Sequence, residues 1–285
     1  MTIQKVGVVG CGLMGSGIAQ TAAQSGLHTV VTEAAQEFLD RGMQRINAAW
    51  DTMQAKGKLS AEDVATNRGR LQATLNLEDL RDCDIVVEAI IENKDEKVTL
   101  FRALDSILKP DALLVSNTSS LPITDLAAVT KRPAQVAGLH FFNPVPVMQL
   151  VEIVRALETS DTTIATLQDF AKSLGKTAII ARDTAGFVVN FLLIPYLLSA
   201  IRMYEQGVAT KEDIDTSMRL GTGYPMGPFT LLDYVGLDTT LYAAEVIYAE
   251  NPDPAYAPPA LLRRMVAAGH LGKKSGKGFY DYSKA

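Results

Sequence analysis

The stretch Gly10-Cys11-Gly12-Leu13-Met14-Gly15 constrains this chain more than any other. It follows the short apolar run Val6-Gly7-Val8-Val9 and leads straight into a helical pattern, Leu13 to Ser25, rich in small residues. A strand, three glycines at this spacing and a helix have a mechanical meaning together. The first glycine makes a tight turn, the second lets backbone approach a pyrophosphate, and the third lets helix and strand touch. The helix N-terminus then offers unpaired N–H groups and the positive end of its dipole to phosphate. An acid closes the next strand: Thr29-Val30-Val31-Thr32 ends at Glu33, whose carboxylate suits the hydroxyls of an adenosine ribose. The glycine spacing alone is a weak signal, compatible with an ordinary turn beside a solvated glutamate. Strand, helix and acid together favour dinucleotide binding. A carboxylate at Glu33 repels a 2′-phosphate, and Ala34-Ala35 supply no cation to hold one, so NAD is expected over NADP.

The rest of the first half repeats the alternation. Ile85-Val86-Val87, Ala112 to Val115, Gln135 to Phe141 and Leu150 to Val154 read as strands, and Lys94 to Leu108 as a helix. A long amphipathic pattern runs from Ala34 to Gln54, with Phe38, Ile46, Ala49 and Trp50 as its expected core positions. Near-continuous apolar strands between helices argue for an α/β fold, a doubly wound, mostly parallel sheet covered on both faces. After Asp183 the β-branched runs thin out. Helical patterns cover Phe187 to Gln206, Lys211 to Leu220 and Leu237 to Ala249, broken by Gly221 to Pro228 and by Asn251-Pro-Asp-Pro254. The chain has 285 residues, more than one core usually serves, so two domains are expected: 1–183 sheet-based, 184–285 helical.

Composition removes several classes of function. Hydrophobic residues make up 47% and charged residues 21%, the profile of an ordered globular protein. The 27 Lys and Arg against 32 Asp and Glu leave a net charge of −5, which disfavours nucleic acid and obliges any anionic ligand to find a local cationic pocket. Cys11 and Cys83 make no disulfide framework, and no Cys or His spacing suggests a metal, so a reduced cytoplasmic setting is expected. The N-terminus lacks the charged lead-in of a secretory signal. Thr184 to Ile201 carries no charge and just reaches membrane-spanning length, but it holds Asn190 and Pro195. A buried helix at a subunit contact is the better reading than a membrane span.

Three histidines are available for chemistry. His28 opens a strand, and His270 lies in a polar C-terminal stretch expected in solvent. His140 closes a strand before Asn143-Pro144, and open parallel sheets present ligands at the carboxyl ends of their strands. Taking a hydroxyl proton while a hydride leaves carbon calls for a base such as histidine. Alone, His140 would more often be structural; its company raises its standing. Glu152, on another strand, is placed to orient the imidazole, and Ser116 to Ser120 offers hydroxyls and an amide that would otherwise read as a helix N-cap. Asn190 is an amide inside an apolar helix and needs partners there.

These residues resemble 3-hydroxyacyl-CoA dehydrogenases from end to end. The resemblance rests on Gly10 to Gly17, Val87 to Asn93, Ser116 to Leu121, Gly138 to Pro144, Gly186 to Asn190, Gly223 to Pro228 and Gly272 to Tyr280. Chain length matches the single-function short-chain members acting on 3-hydroxybutanoyl-CoA. The resemblance implies that His140 is the general base and Glu152 its partner, that Ser119 contacts the substrate 3-oxygen, and that Asn190 lies beside the reacting centre. It places Glu92, Lys97, Asn117 and Asn143 near the cofactor's ribose and nicotinamide, and Lys56 at the CoA phosphates. It further implies a helical second domain that closes the cleft and a homodimer contact around Leu192 to Leu198. Glu33 stands where many relatives carry Asp, which keeps the charge, and Ala49 where some carry a serine that helps hold CoA. The alternatives are a dehydrogenase of a free hydroxy or sugar acid, and an NAD-binding protein without catalysis.

Overall fold

The computed structural model describes residues 2–283, and these divide into two compact units on either side of Thr184–Ala185. The first unit is built on strands β1 (Lys5–Val9), β2 (His28–Thr32), β3 (Leu71–Thr74), β4 (Ile85–Glu88), β5 (Leu113–Ser116), β6 (Val136–Phe141), β7 (Leu150–Arg155) and β8 (Thr177–Arg182). Helices α1 (Leu13–Gln24), α2 (Gln36–Ala55), α3 (Ala61–Gly69), α4 (Lys94–Ile107), α5 (Ile123–Ala127) and α6 (Asp161–Ser173) connect them. The strands form one sheet in the order β3-β2-β1-β4-β5-β6-β7-β8. Progression reverses between β1 and β4, which makes the crevice outside their carboxyl ends the natural ligand site of an open α/β sheet.

Every neighbouring pair is parallel except β6 and β7. The reason lies in the connection. Only 142–149 join β6 to β7, too few residues for a parallel crossover, which needs a dozen or more. The chain therefore turns back on itself and sets His140 directly opposite Glu152. The central strands β4, β5 and β6 are buried at every position, as their unbroken apolar runs require.

Helix α2 corrects one expectation. Its inward stripe is Leu39, Gly42, Ile46 and Trp50, whereas Phe38 is 48% exposed and lies against the Arg41 guanidinium, and Ala49 is half-buried. Phe38 precedes Leu39 by one position, a rotation of about 100° that carries it off the face. Elements α3, β3, α6 and β8 were not expected. Strand β8 is a sheet edge with three of its six positions exposed and one buried, so its pattern resembles a loop.

The second unit contains α7 (Val189–Glu205), α8 (Lys211–Thr222), α9 (Pro228–Val235), α10 (Leu237–Glu250) and α11 (Ala260–Ala267) around their own core. Two buried carboxylates organise it. Asp215 accepts the first amides of α9, from Phe229 at 2.7 Å and Thr230 at 3.0 Å, and the Thr230 hydroxyl at 2.6 Å. Asp233 accepts the amides of Phe279 and Tyr280, both at 2.8 Å, and so fastens the C-terminal glycine- and lysine-rich segment. A Cβ at Gly227 would come within 2.4 Å of Asp215, and one at Gly278 within 2.0 Å of Asp233, so both motifs need glycine for room.

Helix α7 contains Pro195 and most of the uncharged segment, and no helix of the described residues is long and apolar enough to cross a membrane. Within Leu192 to Leu198, the side chains of Ile194, Leu197 and Leu198 belong to the unit's own core, and Leu192 alone is largely exposed.

Candidate active site

The glycine turn behaves as a nucleotide cradle must. Gly10 has φ +96°, and a Cβ there would lie 2.5 Å from the Ala89 carbonyl oxygen. A Cβ on Gly15 would lie 1.8 Å from the Gly10 oxygen, so α1 can meet the turn only without a side chain. Gly12 differs: it is exposed, and nothing lies within 4 Å of where its Cβ would be. The open space sits at the N-terminus of α1, where a pyrophosphate would meet N–H groups and the helix dipole. Leu13 beside it is 58% exposed, and Met14 half-buried.

Glu33 turns toward this cradle. One carboxylate oxygen accepts the Cys11 N–H at 2.8 Å and the other the Ala34 N–H at 2.9 Å. Burial, and then the charge of Glu33, push the Cys11 thiol up to about 11, partly offset by Arg45, so the thiol in the glycine turn stays neutral. Arg45 itself went unnoticed in the sequence. Its guanidinium donates to the Gly12 carbonyl and to Ser16 Oγ, both at 3.1 Å. The available signal was Gly42 inside α2: a Cβ there would be 2.2 Å from Cys11 Sγ, so this glycine brings α2 close enough for Arg45 to reach the turn.

Across the crevice, the antiparallel register produces the closest match to an acid–base pair. His140 Nδ1 lies 2.7 Å from Glu152 Oε2, with Glu152 fully buried and His140 6% exposed. A carboxylate only accepts, so Nδ1 donates to it and the ring's lone pair lies on Nε2. The imidazole packs on Phe142 with ring centroids 4.6 Å apart. Asn117 ties the two neighbouring strand ends together, its Oδ1 accepting the Phe141 N–H at 2.9 Å. Asn143 is exposed and begins the loop through a cis peptide bond to Pro144. The other histidines stand apart from this pair: His28 is exposed, and His270, expected in solvent, is half-buried where the chain folds back after α11.

The segment after β5 is no helix N-cap. Helix α5 starts later, at Ile123, and its first amides are taken by Asp183 at 2.9 and 2.7 Å. Instead Thr118, Ser119 and Ser120 gather around Glu92, which Lys97 holds from the far side at 3.2 Å. Glu88, quoted in the sequence only as part of a longer motif, is fully buried against Lys97 at 2.5 Å. The structure thus brings together His140, Glu152 and Asn117 in one group, and Glu92, Lys97 and Ser119 in another. Lys56 is exposed at the end of α2, and Asn190 is half-buried in the first turn of α7 within the second unit.

Comparison with known proteins agrees over both units. Residues 5–184 match the NAD binding domain of 3-hydroxyacyl-CoA dehydrogenase, and 186–282 match its C-terminal domain. A probable 3-hydroxybutyryl-CoA dehydrogenase of Deinococcus radiodurans is 51% identical over 98% of this chain and all of its own. The 3-hydroxybutyryl-CoA dehydrogenase of Mycobacterium tuberculosis is 49% identical, covering 98% of this chain and 99% of its own. The crystal structure of (S)-3-hydroxybutyryl-CoA dehydrogenase from Ralstonia eutropha superposes with a TM-score of 0.96 at 45% identity, over 99% of this chain and all of that one.

Proposed function

The chain belongs to the 3-hydroxyacyl-CoA dehydrogenase family, whose reaction is NAD-dependent oxidation of a 3-hydroxyacyl-CoA to the 3-oxoacyl-CoA, and we propose that His140 is the base of that reaction here. The observation that carries this reading is the buried Nδ1–Oε2 contact of 2.7 Å between His140 and Glu152. With Nδ1 committed to Glu152, Nε2 takes the proton of the 3-hydroxyl. Glu152 fixes the ring's tautomer and stabilises the imidazolium that forms, the logic of a histidine paired with a buried acid. Ser119 holds the 3-oxygen in line. NAD, when bound, supplies the acceptor for the hydride leaving C3. In reduction, the imidazolium returns the proton to the same oxygen.

Gly10, Gly12, Leu13, Met14 and Gly15 would cradle the pyrophosphate, with Arg45 adding a cation at the turn, while Glu33 takes the ribose hydroxyls. The open space at Gly12 and the inward-facing Glu33 carboxylate fit that group. Asn117, Asn143, Glu92 and Lys97 lie on its nicotinamide side. Lys56 meets the CoA phosphates, and short acyl chains are favoured, with (S)-3-hydroxybutanoyl-CoA as the substrate. The chain acts as a cytoplasmic homodimer.

The test is NADH formation from (S)-3-hydroxybutanoyl-CoA set beside free (S)-3-hydroxybutanoate. Turnover of the thioester and none of the free acid supports the reading; comparable rates for both would remove CoA from it. The oligomeric state is tested separately by sedimentation of the purified chain, which is expected to give a dimer.

A further inference from the structure

At the carboxyl ends of β4 and β5 lies a group of charges that proton and hydride transfer do not consume. Lys97 occupies the core face of α4, 1% exposed, in line with Phe101 and Leu104. Its ammonium meets Glu88 Oε1 at 2.5 Å and Glu92 Oε2 at 3.2 Å. Glu88 is saturated from other sides as well, accepting the Ile90 N–H at 2.7 Å and the Ser116 hydroxyl at 2.5 Å. Stability does not call for such a cluster, because well-packed apolar residues in place of a buried ion pair are often neutral or stabilising. What the cluster provides is a fixed position for its outer member. Glu92 is 26% exposed, yet its Oε2 is held by Lys97 while its Oε1 accepts from the Thr118 hydroxyl, from Ser120 Oγ at 3.1 Å and from the Ser119 N–H at 3.3 Å. Thr118 and Ser120 are each 1% exposed, and Ser119 between them is half-buried. The strand-end loop is therefore gripped on both flanks of its one more exposed serine.

We infer that Glu88, Lys97 and Glu92 act as a positioning clamp that sets Ser119 at the height of the reacting oxygen, an inference that rests on the placement of Ser119 proposed above. Glu88 anchors Lys97, Lys97 holds Glu92, and Glu92 holds the loop. None of the three needs to touch substrate. The clamp acts through the Ser119 hydroxyl, so removing its outer member should cost rate rather than affinity for the acyl substrate.

The experiment compares E92A, E92Q, S119A and E92A/S119A in acetoacetyl-CoA reduction by NADH, together with NADH affinity by fluorescence titration. E92A, which also alters the cofactor's nicotinamide side, is expected to lower kcat at saturating NADH about 10²-fold, the scale of a 1 Å misplacement, with KM for acetoacetyl-CoA little changed and a much smaller fall in NADH affinity. E92Q should recover part of the loss, because its one accepting oxygen can still take the Thr118 and Ser120 hydroxyls while its amide group no longer accepts from Lys97. E92A/S119A should be no slower than S119A alone, within about threefold. The double variant E88L/K97M, which leaves no lone charge in the core, should show the same loss of kcat with KM retained. E92A turnover near the wild-type rate, losses that multiply in the double variant, or NADH affinity falling in step with kcat would each overturn the clamp. A fully active S119A overturns instead the placement of Ser119, and the clamp's premise with it.

Discussion

The two sides of the sheet's crevice are built on different principles. On the β1–β2 side the working groups are backbone: the N–H groups of a glycine turn, made possible by the absence of side chains at Gly10 and Gly15 and oriented by one acid, Glu33. On the β6–β7 side they are side chains, and their geometry comes from strand register, which places His140 across from Glu152. The first design offers a ligand shape and dipole, while the second, on the proposed reading, would move a proton through an imidazole held by a buried contact of 2.7 Å. Damage to the two sides should consequently look different, in affinity on one and in rate on the other.

The largest separation comes from the reaction side. H140Q should lower kcat by about 10³-fold, within the usual contribution of a general acid–base, and leave KM for NAD unchanged. Steady-state NADH formation measures both, and a parallel rise in KM would merge the two sides. Next, G15A places a Cβ 1.8 Å from the Gly10 oxygen. It should weaken NADH binding by roughly tenfold or more, equivalent to about 1.4 kcal/mol, with the rate from the saturated complex largely kept. Titration of NADH fluorescence reports this, and unchanged affinity would mean the turn does not hold the cofactor.

Smaller effects sharpen the cradle. E33Q should narrow the NAD over NADP preference by about tenfold, because the repulsion of a 2′-phosphate is gone. The ratio of kcat/KM for the two cofactors is the readout, and an unmoved ratio would release Glu33 from this role. The smallest effect concerns stability at high pH. Burial pushes the Cys83 thiol up to about 12, from an ordinary value of 9.0. A thiol raised in the folded state contributes fully below pH 9 and loses its contribution as pH rises from there toward 12. Melting temperature should therefore fall more shallowly above pH 9 in C83A than in the wild type, and parallel slopes would exclude the thiol as a cause.

What could be read in the sequence follows the same division. The glycine turn is local in the chain, so its spacing, its flanking strand and Glu33 carry almost the whole cradle. His140 and Glu152 were legible as candidates, but their direct opposition depends on β6 and β7 running antiparallel. The short connection 142–149 implied as much, yet a run of apolar strands reads as parallel. Groups that depend on packing between helices were hidden. Arg45 reaches the turn only because Gly42 lets α2 approach, and a glycine inside a helical pattern does not by itself say what it packs against. Lys97 did leave a mark, a lysine in the same stripe as Phe101 and Leu104, but its partner Glu88 lies on a different element. Phe38 was misplaced by one position because the periodic stripe was started a residue early.

The central claim is that Glu152 acts on the reaction only through the imidazole of His140. Single-turnover hydride transfer from bound NADH to acetoacetyl-CoA, followed by stopped-flow absorbance in H140Q, E152Q and H140Q/E152Q, tests it most directly. Residues acting as a unit lose their effect together, so the double variant should transfer hydride at the rate of H140Q alone, within about threefold. A double variant slower by the product of the two single losses would show that Glu152 acts independently of His140, and would contradict the account.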